Sequence, residues 1–230
     1  ARGSGQLPLP RGLVMEHTAN LLVPQSVAWY GKLPSRGDFV GRGVPRSWSR
    51  PWDEWLQRGL AHAAQQLGAA ALRERLQAMP PWACAFGPVL AGEPAWCGAV
   101  VASCDRVGRV FPLLLAEAYD EAALRAAAVP ALLDRTRELA DWLLAASRER
   151  ISLKDFERGT AHVTGLAWDI GLPDEADGGF QRLCERWPAA RSFWWRIDRE
   201  EDPPPLAEDW PPRDGLVLDW IGAGDRGSVR

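Results

Sequence analysis

Two apolar stretches lie on either side of a short turn signal, and this pairing restricts the fold more than any other part of the chain. AWCGAVVASCD (95–105) and RVFPLLLAEA (109–118) carry the Val, Phe and Trp residues that suit strands. DRVG (105–108) between them supplies a tight turn, so the two are expected to form an antiparallel hairpin. WACAFGPV (82–89) reads as a strand just before, with a turn at AGEP (91–94). SVAWYGKL places a first strand at about 27–32. Pro34, Gly37, Gly41, Gly43 and Pro45 then break regular structure, and a long ordered loop is expected there.

Helical spacing takes over at Ser49. Pro51 and the acidic pair Asp53 and Glu54 suit a first turn, and Trp52, Trp55, Leu56, Leu60, Ala63 and Leu67 form an apolar stripe ending at Gly68. A short helix is expected over 69–78, and Leu132, Leu133, Thr136, Leu139, Ala140, Leu143 and Leu144 mark one face of a long one. Residues 149–179 read as loop and short helix, and 179–186 as a further helix. RSFWWRID (191–198) and GLVLDWIG (215–222) read as strands, and the proline-rich EDPPPLAEDWPPRDG (201–215) as an irregular connector. No repeat or linker divides the chain, so one α/β (α+β) domain is expected over residues 27–222, with tails at 1–26 and 223–230. Within the first tail, ARGSGQLPLPRGLV is set aside as an expression remnant, a mobile arm or an extension upstream of Met15.

The charge balance narrows the partners. Lys plus Arg is 27 against 30 for Asp plus Glu, a net charge of -3, which gives no footprint for nucleic acid or an anionic membrane. The chain has no run of about 18 apolar residues, so no membrane insertion is expected. Cys84, Cys97, Cys104 and Cys184 form no Cys-x-x-Cys pair and His17, His62 and His162 are scattered, so no metal site is indicated. Thiols in apolar settings such as WACAF read as reduced core residues, which points to the cytoplasm. The 13 tryptophans exceed what one core of this size obviously requires, and any that are exposed are candidate binding anchors.

WYGKLPSRGDFVGRGVPRSW (29–48) holds patterns that invite functional claims. It is not a phosphate-binding loop: Leu33 follows Lys32 where a Ser or Thr would reach the metal, and no glycine stands five residues ahead of Gly31. Arg36-Gly37-Asp38 is too short to carry an adhesion reading against the cytoplasmic signals. Asp38 either accepts bonds from loop amides or pairs with Arg36, Arg42 or a distant arginine such as Arg109. In SCDRVGRVFP (103–112), Ser103 lacks the Gly-x-Ser-x-Gly elbow. Asp105 with Arg106, Gly108 and Arg109 suits a turn whose carboxylate bonds backbone amides while an arginine reaches across. Asp38, Asp53, Asp105 and Arg109 are the set that a small-ligand sensor or hydrolase would need to converge on a pocket.

Taken together, WYGKLPSRGDFVGRGVPRSWSRPWDEWLQRGL, PPWACAFGP, WCGAVVASCDRVGRVFPL and the later SFWW resemble the TagF (ImpM) family of type VI secretion-associated proteins. The resemblance covers about residues 29–115. Gly31, Lys32, Pro34, Gly37, Asp38 and Phe39 match its first motif, with Arg36 inside it. Pro51, Trp52, Asp53 and Trp55 match its second, and Ser103, Asp105, Arg106, Gly108, Arg109, Phe111 and Pro112 its third. The resemblance implies a single domain with a central, largely antiparallel sheet flanked by helices, akin to longin and profilin folds. It also implies a cytoplasmic post-translational repressor of secretion that works with a forkhead-associated scaffold protein, with no enzymatic activity and no cofactor. On this basis the long loop and the 105–109 hairpin are expected to meet in a polar patch of Lys32, Arg36, Asp38, Asp53, Ser103, Asp105, Arg106 and Arg109, with Asp38 and Arg109 as its ion pair.

Overall fold

The computed structural model describes residues 20–87, 94–171, 179–197 and 205–224. In chain order its elements are β1 (Leu21–Leu22), β2 (Ser26–Lys32), β3 (Phe39–Arg42), α1 (Arg46–Leu67), α2 (Ala69–Gln77), β4 (Trp82–Phe86), β5 (Ala95–Cys104) and β6 (Val110–Tyr119). There follow α3 (Glu121–Arg125), α4 (Val129–Arg148), α5 (Leu153–Thr164), β7 (Trp168–Asp169), α6 (Gly179–Arg186), β8 (Ser192–Arg196), β9 (Leu206–Glu208) and α7 (Leu216–Trp220). Residues 1–19 and 225–230 of the expected tails lie outside the described residues, as do the expected turn at AGEP apart from Pro94 and the end of the WACAFGPV strand.

The expected hairpin forms the middle of a seven-stranded sheet, ordered β3-β2-β6-β5-β4-β8-β9, in which every neighbouring pair is antiparallel. β5 and β6 stay in register from Ala95 opposite Tyr119 to Cys104 opposite Val110. Alternate residues serve two cores. Val101, Leu113 and Leu115 pack beneath α4 and α5 with Leu139, Leu143 and Phe156. Val100 and Leu114 face α1 and α7 with Trp52, Trp55 and Trp220. Covering both faces is why these strands read as nearly unbroken apolar runs. A separate two-stranded pair joins β1 to β7.

The tryptophans belong mostly to the second core. Trp48, Trp52, Trp55, Trp194 and Trp220 are buried, and rings such as Trp52 and Trp194 lie 6.1 Å apart. The exposed large apolar side chains are Leu21, Val23, Phe39, Val107 and Leu166, so among the described residues no tryptophan is fully exposed, and Trp142, Trp187 and Trp210 are half-buried.

Four expectations are corrected. GLVLDWIG is helix, not strand: Leu216, Val217, Trp220 and Ile221 are buried at helical spacing against α1. Gly59 of α1 allows that approach, because a Cβ there would stand 2.5 Å from Val217 Cγ2. The glycine-rich loop contains an edge strand, β3, where Gly41 leaves room for the Tyr30 ring; a Cβ would meet Tyr30 Cδ2 at 2.9 Å. The proline-rich connector contributes β9, a short edge strand on β8. Helix α1 begins at Arg46 rather than Ser49, so Pro51 lies inside it and forgoes one helical hydrogen bond.

Candidate functional site

The site is built where the loop after β2 meets the β5–β6 hairpin. At the tip, Asp105 N bonds Arg109 O at 3.1 Å and Gly108 N bonds Asp105 O at 3.0 Å, with Gly108 at φ 85°. A positive φ costs glycine least, which is why glycine closes this turn. Asp105 Oδ1 accepts from the Val107 and Arg109 amides at 3.0 and 2.9 Å. Its Oδ2 accepts from Lys32 Nζ at 3.0 Å and Arg109 Nε at 2.6 Å. Lys32 also lies 5.0 Å above the Phe39 ring.

Burial alone would raise the Asp105 pKa. The Arg109 amide, then the Lys32 and Arg109 side chains and the Val107 amide, outweigh it and hold the carboxyl well below the usual carboxylate range. The ionised carboxylate is therefore the form the fold is built around.

Two further bonds fasten loop to hairpin: Arg106 N to Arg36 O at 2.7 Å and Arg109 Nη2 to Gly37 O at 2.9 Å. Gly31 is required just before them. It has φ 150°, and a Cβ there would stand 2.5 Å from Pro112 O. Phe39 stacks on Tyr30 at 5.7 Å and meets Phe111 edge-on at 4.7 Å.

The loop and hairpin thus meet, but through partners other than the expected pair. Arg109 engages Asp105 and the Gly37 carbonyl, while Asp38 is exposed and joins no ion pair among the described residues. Asp105 takes Arg109 because the turn brings residues four apart onto one carboxylate. Asp53 stands apart on α1, accepting from Tyr30 Oη at 3.1 Å and Gln57 Nε2 at 2.7 Å. Burial, reinforced by Asp53, pushes the Tyr30 pKa up to about 12. Ser103 is buried and bonds Ser147 Oγ at 3.2 Å. Pro34 is buried in the loop, Pro112 lies in β6 opposite Ala102, and Trp52 and Trp55 are core. Arg36 and Arg106 are exposed.

Sequence reasoning missed a second polar cluster under α4. Arg135 Nη2 and Nε bond Glu117 Oε1 and Oε2 at 2.5 and 3.0 Å, Tyr119 Oη bonds Glu117 Oε2 at 2.5 Å, and Trp168 Nε1 bonds Tyr119 Oη at 2.9 Å. Arg135 also reaches Val163 O at 3.0 Å, tying α5 to the sheet. The available signal was a charge at a core position: Glu117 within LLLAEA and Arg135 on the apolar face of α4. Among the described residues, no group of three or more His, Cys, Asp or Glu could hold a metal ion.

Beside the junction a cleft of about 380 Å3 opens between the end of α2, the hairpin and the end of α4. Met79, Val110 and Leu144 line it with apolar surface, together with Pro34, Ser147 and the exposed Arg148.

Comparison with known proteins agrees with this architecture. The TagF N-terminal domain, type VI secretion system-associated, matches residues 28–163, a span that contains the whole junction. Among solved structures, PA0076 from Pseudomonas aeruginosa PAO1 is similar with a TM-score of 0.66 and 28% identity, over 89% of this chain and 98% of that one. No curated protein sequence matches the chain.

Proposed function

Because the chain belongs to the TagF N-terminal domain family of type VI secretion system-associated proteins, we propose that it is a cytoplasmic, non-catalytic negative regulator of secretion. It acts by occupying a forkhead-associated scaffold protein and withholding it from assembly of the apparatus. The observation that supports binding over catalysis is the saturation of Asp105. Its oxygens accept from two amides, a lysine and an arginine, and its side chain has no exposed surface. A sensor or hydrolase built on Asp38, Asp53, Asp105 and Arg109 needs carboxylates that converge on open space. Here Asp53 is committed to Tyr30 and Gln57, and Asp105 to the turn.

A filled ion-paired cluster instead stiffens the loop and hairpin, so the surface they carry meets a partner with little ordering cost. Affinity then comes from a few anchors rather than from total area. The test is calorimetric titration of the purified scaffold protein into the purified chain. Saturable binding at about micromolar affinity or tighter is expected. No heat and no co-elution at concentrations about a hundredfold higher would overturn the proposal.

A further inference from the structure

The chain carries a net charge of -3, yet its charge is not evenly spread around the cleft. Arg148 lines the cleft, and Arg150 Nη2 donates at 3.4 Å to the O of Pro34, which also lines it. Arg36 and Arg106 are joined through the bond from Arg106 N to Arg36 O, next to that same proline. Both are exposed, and neither guanidinium has an ion-pair partner among the described residues. The same segments also carry exposed acids, Asp38, Glu149 and, one turn before Ala78, Glu74. Val107, 70% exposed, stands between Arg106 and Gly108 at the hairpin tip. On a chain that is acidic overall, one guanidinium thus lines the cleft, a second reaches its Pro34, and two more stand on the adjoining loop and turn.

Building on the scaffold-binding proposal, we infer that this cleft docks an acidic segment of the partner protein. One apolar side chain of the segment seats on Met79, Val110 and Leu144, and flanking carboxylates meet Arg36, Arg106 and Arg148. Guanidinium forks suit this role because they bind carboxylates in bidentate geometry and are only weakly hydrated. A cleft of about 380 Å3 falls within the range of roughly 300–1,000 Å3 that seats small ligands, so it has room for one large side chain. The positive charge of these guanidinium groups steers an acidic segment toward it and sets the docking register.

The experiment uses the purified scaffold protein as the probe and three variants of the full chain. Arg36→Glu/Arg106→Glu reverses the charge on the adjoining loop and turn, and Ala78→Trp fills the cleft from an exposed position at the end of α2. Arg58→Glu changes an exposed arginine on α1 paired with Asp214, and serves as the control. Each variant is first shown to melt with the wild type. The charge-reversal and cleft variants are expected to bind at least about tenfold more weakly and the control unchanged, and wild-type affinity is expected to fall as salt shortens the screening length from about 14 to about 6 Å. If the wild type binds while both variants keep full affinity, the docking site is overturned and the scaffold reading stands. If the wild type itself does not bind, both are overturned. A random single-stranded oligonucleotide that binds wild type but not Arg36→Glu/Arg106→Glu, with scaffold affinity unchanged in that variant, would assign the arginines to a polyanion and also overturn the inference.

Discussion

Asp105 couples folding to its own ionisation. Its folded pKa lies below the unfolded value, so its stabilisation is present above about pH 4 and is lost as pH falls toward the folded value. Wild-type melting temperature should therefore drop more steeply below about pH 4 than that of Asp105→Asn, which is less stable at neutral pH. Parallel acid profiles would remove Asp105 from this role. The two tyrosines give the opposite sign. Burial, with Asp53 beside Tyr30 and with Cys97 and Glu117 beside Tyr119, raises both pKa values. Their contribution is complete below about pH 10 and is lost as pH rises through the folded values. Absorbance at the tyrosinate band should stay flat to about pH 11 in the folded protein and rise on unfolding; a normal titration near pH 10 would contradict the burial. At this scale the turn contacts of Asp105 were legible because they span only residues 105–109. The Lys32 bond, 73 residues away in sequence, was not, nor was the pairing of Glu117 with Arg135, since sequence order does not reveal which distant charges meet.

Among elements, the junction depends on how closely β2 approaches β6. Gly31 allows this because its φ is 150° and a Cβ would collide with Pro112 O and Leu113 Cα at 2.5 and 2.8 Å. Gly31→Ala should cost about 1–3 kcal/mol, seen as a melting temperature lower by several degrees. Gly108→Asn is the counterpart: φ is 85°, nothing lies near its absent Cβ, and Asn tolerates that region, so its cost should be below about 1 kcal/mol. Equal losses at the two positions would contradict the close-approach account. Elements were legible where one periodicity ran long, as in α4 and the β5–β6 hairpin. GLVLDWIG failed because a short apolar run fits either period, and contact with Gly59 of α1 decides the outcome. Helix α5 falls in a stretch read as loop and short helix without bounds, although Ser152 accepts from Asp155 N at 3.1 Å, a local cap visible as Ser-Leu-Lys-Asp.

Across the whole molecule, the family match ends at residue 163 but the sheet does not. β8 pairs with β4, and Trp194 and Trp220 from the later segment complete the tryptophan layer under α1. The C-terminal third is thus part of the same core as the matched span. The sheet ends in the short edge strands β3 and β9, a length that limits unwanted strand pairing. The most direct measurement is secretion of the type VI tube protein in cells lacking this chain and in cells overproducing it. A stoichiometric repressor predicts more secretion on deletion and less on overproduction. Unchanged secretion in both, with a demonstrably working apparatus, or less secretion on deletion, would contradict it.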